Sequence, residues 1–148
     1  MACPTSWGGM IRLLKFGSLA LTILLLLSCS SQEQYEVAQA AINRFHELLA
    51  TKNFDQIYAE ASKNLKNNTT SDEFSKLLAA IDRKLGAFKA AENKSWSINY
   101  GTSGTLVTIG IQAQYEKGTA FEIFNFVIEN GKAMLNGYNI QSRELLVN

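Results

Sequence analysis

Three glutamates on predicted strands are the groups that could act as a general base in this chain. Glu116 and Glu129 adjoin predicted turns, a position that favours a solvated strand end. Glu122 shares a strand face with aromatic residues, so its carboxyl group can point into the protein, although a solvated face is the more common position for a glutamate. A base must reach the proton that it removes. Glu122 is therefore the carboxylate to consider for catalysis.

The other common catalytic patterns are not evident in the sequence. His46 is the only histidine, and it lies near the polar boundary of a predicted helix, where we expect an ordinary helical residue without partners. A single histidine provides neither a metal site nor a Ser-His-Asp set. The segment 101–104 joins two predicted strands, whereas a phosphate loop joins a strand to a helix. We assign no catalytic residue, no metal ligand and no cofactor.

Polar side chains on the predicted strands could supply the few polar groups that an apolar ligand pocket needs. The candidate pocket-lining residues are Tyr100, Tyr115, Glu122, Asn125 and Tyr138. Tyrosine and asparagine are also ordinary packing and edge residues of sheets, so both interpretations stay open.

A cysteine follows directly after an apolar leader. Arg12 and Lys15 precede Phe16–Leu27, a core of 12 mostly apolar residues, and Ser28 and Cys29 come next. Secretory signals combine a basic start, an apolar core of about 7–15 residues and a small residue at the cleavage site. A transmembrane helix needs about 20 apolar residues. The leader is therefore predicted to be a signal peptide, too short to span a membrane.

The residues Leu26-Leu27-Ser28-Cys29 resemble the lipobox of bacterial lipoproteins. The resemblance implies cleavage just before Cys29 and lipidation of its thiol by a diacylglycerol, with fatty acyl chains such as palmitate holding the mature protein to the membrane. Two or more acyl chains give stable anchoring. The alternative is an ordinary signal peptide, or an uncleaved anchor, with a chance cysteine.

The predicted organisation follows from this leader. The ranges are 1–28 for the signal peptide, 29–34 for the acylated cysteine and a polar tether, 35–142 for one domain and 143–148 for a tail. Residues 1–9 carry no charge and fit a signal peptide badly, so Met10 is an alternative start.

The predicted mature chain excludes some classes of partner. Residues 29–148 carry 12 basic and 13 acidic side chains, a net charge of −1. Without a basic excess, nucleic acid is not an expected partner. Cys29 is the only cysteine that remains after cleavage. The domain can form no disulfide, so we expect its apolar core alone to hold it together.

Apolar spacing and capping residues predict three helices at the start of the domain. The first covers Tyr35–Ala50, and the second begins after Asn53 and continues to Leu65. The third has a capping box at Thr70-Ser71-Asp72-Glu73 and ends at Gly86, a natural stop.

The apolar period changes to two after Gly86, which predicts strands. The predicted strands are Trp96–Tyr100, Val107–Tyr115, Phe121–Glu129 and Lys132–Ile140. Asn130-Gly131 predicts a hairpin turn, and Gly137 a bulge. Phe121–Glu129 is apolar on both faces, which predicts a central strand covered on both sides. The fold class is α+β, with three N-terminal helices packed on a curved antiparallel sheet of three to four strands.

This order of elements is similar to the nuclear transport factor two-like (cystatin-like) superfamily of cone-shaped α+β domains, and within it to small bacterial domains of unknown function. The residues that carry the resemblance are Phe45–Leu49, Asn53–Asp55, Thr70–Gly86 and Asn130–Ile140. It covers nearly all of Tyr35–Gln141. The resemblance implies a pocket between helices and sheet, into which isomerase-like and dehydratase-like members project an acidic residue or a histidine.

We therefore expect a lipid-anchored cell-envelope protein with a non-enzymatic binding or interaction domain. Ser30, rather than aspartate, follows the cysteine, which resembles lipoproteins of the outer membrane facing the periplasm. Expected partners are the membrane, through the N-terminal lipid, and either an envelope protein or a second copy of the chain, paired through the open sheet face. The alternative is an isomerase-like or dehydratase-like enzyme that uses Glu122 as a base on a small apolar ligand.

Overall fold

The structure is a computed structural model that describes residues 11–102 and 104–146, with side chains from residue 31 onward. The chain divides into two compact units, Met1–Glu33 and Gln34–Asn148. Met10 and the nine residues before it lie outside the described residues, as do the side chains of Arg12, Lys15 and Cys29. The predictions made for the leader therefore stay predictions.

Among the described residues, four helices precede the sheet: α1 (Ile11–Ala50), α2 (Phe54–Ala59), α3 (Lys63–Asn68) and α4 (Ser71–Leu85). Residues 30–34, predicted as a polar tether, are helical, because α1 continues through them. The predicted second helix is two short helices. It breaks at Ser62, whose hydroxyl oxygen accepts the Leu65 N–H at 3.1 Å and caps α3.

Helix α4 begins and ends where its capping residues predict. The Thr70 hydroxyl accepts the Glu73 N–H at 3.3 Å, and the Glu73 carboxylate accepts the Thr70 N–H at 3.0 Å. Gly86 follows with a φ of 74°, which a glycine adopts without strain. The apolar stripe between these caps is buried, and it consists of Phe74, Leu78, Ile81 and Leu85.

The sheet is a four-stranded antiparallel meander. Its strands are β1 (Phe88–Gly101), β2 (Gly104–Tyr115), β3 (Thr119–Glu129) and β4 (Lys132–Gln141), which lie in chain order, and a short helix α5 (Arg143–Leu146) follows them. The hairpin between β3 and β4 turns at Asn130 and Gly131, which have φ values of 51° and 73°. Positive φ at both turn residues is the geometry that this dipeptide favours. The α+β class, with helices before an antiparallel sheet, is confirmed.

Strand β4 contains the predicted bulge. Asn125 pairs with Gly137 and Phe126 pairs with Leu135, so Asn136 is an extra residue in β4. The Ser62 hydroxyl donates to the Asn136 side-chain oxygen at 2.9 Å, and the Ser62 N–H donates to the Leu135 carbonyl at 2.9 Å. The start of α3 and the bulge therefore hold each other in place.

The core lies on one face of the sheet. Every described core residue belongs to the unit Gln34–Asn148, which therefore has its own hydrophobic core, as a domain that folds by itself does. On β3, Glu122, Phe124 and Phe126 face this core and are buried. On the opposite face Val127 is buried, but Phe121 and Ile123 are only half-buried, so the prediction that both faces of β3 are covered holds only in part.

Candidate functional site

A buried polar cluster joins the helices to the sheet. Its centre is Glu122 on β3, which has no exposed surface. The hydroxyls of Tyr115 on β2 and Tyr138 on β4 donate to Glu122 Oε1 at 2.7 and 2.6 Å. Nε2 of His46, on α1, lies 3.0 Å from Glu122 Oε2. Four elements therefore meet at one carboxyl group.

The helix places His46 on the apolar stripe. His46 follows Ile42 by four residues and precedes Leu49 by three, the spacing of residues on one helix face. Its ring stacks on Phe88 of β1, with centroids 3.8 Å apart and planes 14° apart, and meets the ring of Phe124 edge-on, with centroids 5.9 Å apart. The aromatic walls exclude water, so the polar atoms of the cluster depend on each other for hydrogen bonds.

The hydrogen bonds determine which atoms of the cluster are donors and which are acceptors. Both tyrosine hydroxyls donate to Oε1, so this oxygen acts only as an acceptor. One proton lies between Oε2 and His46, held either by the imidazole, which then donates to the carboxylate, or by the carboxyl group, which then donates to the ring nitrogen. Burial raises the pKa of Tyr115 and of Tyr138, and the charge of Glu122 raises both further. The two phenols therefore remain protonated donors.

The cluster is sealed in this structure. Glu122 has no exposed surface, and His46 and Tyr115 are each 4% exposed. Tyr138 lines a cavity of about 210 Å³, a volume below the range of about 300–1,000 Å³ typical of ligand sites. No substrate atom can contact the Glu122 carboxyl group in this arrangement. In this conformation the cluster fastens α1 to the sheet.

The five candidate pocket-lining residues do not all meet. Glu122, Tyr115 and Tyr138 come together in the buried cluster. Tyr100 lies at the end of β1 with 64% of its surface exposed. Asn125 faces the opposite side of the sheet from Glu122, where its side-chain oxygen accepts the Thr108 hydroxyl at 2.8 Å.

The expectation that His46 is an ordinary helical residue without partners is wrong. It is 4% exposed and pairs with Glu122, a residue 76 positions further along the chain. Its spacing from Ile42 and Leu49 was the available signal, because that spacing places the ring on the buried stripe. Among the residues whose side chains are described, no group of three His, Cys, Asp or Glu could hold a metal ion.

A larger cavity lies between α1, the α2–α3 segment and the β3–β4 hairpin, and we refer to it as the hairpin groove. Its volume is about 720 Å³. Its apolar lining comes from Val37, Ala40, Ala41, Phe45, Leu48, Ile57, Ala59, Ala61, Phe126, Ala133, Met134 and Leu135. No single residue of this set has a distinctive sequence pattern. The groove therefore could not be predicted from the sequence.

Charged side chains form the rim of the hairpin groove. Arg44 and Glu60, which both line the groove, make an ion pair with 3.2 Å between Nη2 and Oε1. The Lys66 ammonium donates to the Ala59 carbonyl at 2.7 Å. Within the described part of the chain, Lys63 and Lys132 have neither a hydrogen-bond partner nor an ion-pair partner for their side chains. Both are exposed.

The chain matches no protein-family model and no curated protein. Over the residues that the structure describes, no helix combines the length and the hydropathy that crossing a bilayer requires.

Proposed function

We propose that this protein is a lipid-anchored cell-envelope protein whose domain binds a small ligand and is not an enzyme. The order of basic residues, apolar core, Ser28 and Cys29 supports the anchor. Acyl chains on the Cys29 sulfur would hold the domain at the membrane, with the outer membrane facing the periplasm as the proposed place. The α+β order of helices and antiparallel meander supports the finer assignment to the cystatin-like class.

The hairpin groove is the observation that carries the binding function. A volume of about 720 Å³ with a mostly apolar lining falls within the usual size range of ligand sites. A ligand with an apolar body would gain about 25 cal/mol for each Å² of apolar surface that it buries there. The sealed position of Glu122 is the reason for preferring binding over the isomerase-like or dehydratase-like alternative.

Replacement of the lipidated cysteine tests the anchor. In cells fed radiolabelled palmitate, the Cys29→Ser variant should lose the label and leave the membrane fraction, because its hydroxyl cannot carry the thioether-linked lipid. Cys3→Ser is the matched control, since it removes the other cysteine and should remain labelled. A Cys29→Ser protein that is still labelled and membrane-bound would contradict the proposal.

A groove-filling substitution tests the binding site. We would titrate the unit of residues 34–148 with a neutral naphthylamine dye whose fluorescence rises in apolar surroundings. Ala40 is exposed and lines the groove, so Ala40→Trp should fold and weaken binding by about tenfold, through lost burial of about 1.4 kcal/mol. Ala50→Trp is the control, because Ala50 is exposed on the same helix outside the groove. Equal affinities in both variants would show that the dye binds elsewhere.

A further inference from the structure

We infer that the ligand of the hairpin groove is an anionic amphiphile with a single apolar chain, whose carboxylate or phosphate head lies between Lys63 and Lys132. This inference rests on the proposed binding function and names the chemistry of its ligand. The apolar chain of the ligand would lie on the apolar floor of the groove, and its charged head would lie at the rim.

The floor of the groove fits an acyl chain because it is apolar, whereas the charged groups of the groove lie at its edge. Phe45, Leu48 and Ile57 are buried, and they form the base of the groove together with Phe126 and Leu135. A polar ligand would lose its hydration against such surfaces without gaining hydrogen bonds in return. An alkyl chain has no polar atoms to satisfy, so it gains from burial along its whole length.

The rim fits an anion because positive charge is concentrated there. Residues 34–148 contain 12 basic and 12 acidic side chains, so the unit as a whole is neutral. Four of the basic side chains line the groove but only two of the acidic ones do. Glu60 is paired with Arg44. This leaves Lys63, Lys66 and Lys132 against Glu129, an excess of two positive charges at the mouth of the groove.

Lys63 and Lys132 are the two ammonium groups available for a ligand. Neither is engaged by a side chain or carbonyl group in the described part of the chain, whereas Lys66 already donates to a carbonyl oxygen. They belong to different elements, since Lys63 begins α3 and Lys132 begins β4. A carboxylate or phosphate between them would receive charge-assisted hydrogen bonds while it stays partly hydrated.

Calorimetric titration of the unit of residues 34–148 with a homologous ligand series tests both assignments. The series consists of decanoate, dodecanoate and tetradecanoate below their micelle concentrations, the alkyl phosphates of the same lengths, and the uncharged alcohols. Each added methylene should tighten binding by about fourfold, which corresponds to about 0.8 kcal/mol. Anionic ligands should bind at least about tenfold tighter than the alcohols at low salt, and this preference should shrink as salt is added. The stronger of the two anionic series identifies the head as carboxylate or phosphate.

The double substitution Lys63→Gln and Lys132→Gln should remove the preference for anions and keep the dependence on chain length. The matched control is Lys76→Gln with Lys94→Gln, two lysines outside the groove, and it should keep both. The inference would be overturned if the variant with Lys63→Gln and Lys132→Gln kept its preference for anions. It would also be overturned if the wild-type protein bound charged and uncharged ligands equally well. In either case, continued binding of the neutral dye would leave the proposed function standing. Loss of dye binding as well would remove both.

Discussion

Replacing His46 with leucine should destabilise the protein by about 3–5 kcal/mol, the cost of breaking a buried pair by removing one partner. Leucine fills much of the space of the imidazole but offers no polar atom to Glu122 Oε2, which lies 3.0 Å from the histidine nitrogen. Glu122 has no exposed surface, so water cannot replace the lost hydrogen bond. The change also removes the ring stack on Phe88, worth about 0.5–1.5 kcal/mol.

A second substitution separates the polar cost from the packing cost. Glu122→Gln keeps the shape of the side chain, its amide oxygen can accept from both tyrosines, and its NH₂ can donate to His46. Alone, it should cost less than about 1.5 kcal/mol. Combined with His46→Leu, it leaves a neutral amide rather than a carboxyl group without its partner at this position, so the double variant should be about 1–3 kcal/mol more stable than the two separate losses predict.

Urea unfolding of the unit of residues 34–148, followed by circular dichroism, measures these free energies. Phe88→Leu is the control, because it removes the stacked ring and leaves every hydrogen bond of the cluster in place. It should cost clearly less than His46→Leu. A His46→Leu loss below about 1 kcal/mol, or a double variant whose loss is simply additive, would refute the idea that the pair holds α1 to the sheet.

Three further predictions concern the fold around the cluster. Burial raises the pKa of Tyr115 and Tyr138, so these side chains stay protonated in the folded state while those of the unfolded chain ionise near pH 10. The two groups should therefore leave the free energy of unfolding unchanged below about pH 10 and lower it above that pH, by up to about 1.4 kcal/mol per pH unit for each tyrosine. Urea unfolding at pH 8 to 11 measures this dependence on pH, and Tyr115→Phe should make it weaker. Ser62→Ala should cost about 1–3 kcal/mol in thermal or urea unfolding, because it removes both the cap of α3 and a hydrogen bond to the bulge, and a loss below about 0.5 kcal/mol would contradict this. Gly110→Ala should cost about 1–3 kcal/mol in urea unfolding, because its methyl carbon would lie 2.7 Å from Ser95 Oγ and 3.1 Å from the ring of Phe121. The companion changes Ser95→Ala and Phe121→Leu should together recover part of the loss.

Features decided by neighbouring residues could be predicted from the sequence. The capping box at Thr70, the stop at Gly86 and the hairpin at Asn130-Gly131 depend on a few adjacent residues and appear in the structure as predicted. The change of apolar period after Gly86 likewise gave the α+β class. The break at Ser62 was missed because its second cause lies outside the segment, in the hydrogen bond to Leu135 on β4.

Features decided by distant pairings could be predicted only in part. Alternation along β3 places Glu122 and Asn125 on opposite faces, so it already argued against their sharing one pocket. It could not show that His46, 76 residues earlier, would meet Glu122. The hairpin groove depends on how α1 lies against the β3–β4 hairpin. Its residues are ordinary apolar side chains, and nothing in their order specifies that placement.

Because of the bulge at Asn136, the face on which each side chain of β4 lies depends on the number of residues in the strand. Side chains alternate along a strand, so Leu135 and Tyr138, three positions apart, share a face only because one residue is extra. Deleting one residue there would exchange the two faces for the rest of the strand, turning the Tyr138 hydroxyl away from Glu122. Over evolutionary time, β4 should therefore tolerate insertions or deletions of two residues, which keep each side chain on its face, better than those of one residue. The exposed turn residues beside it can change in number more freely.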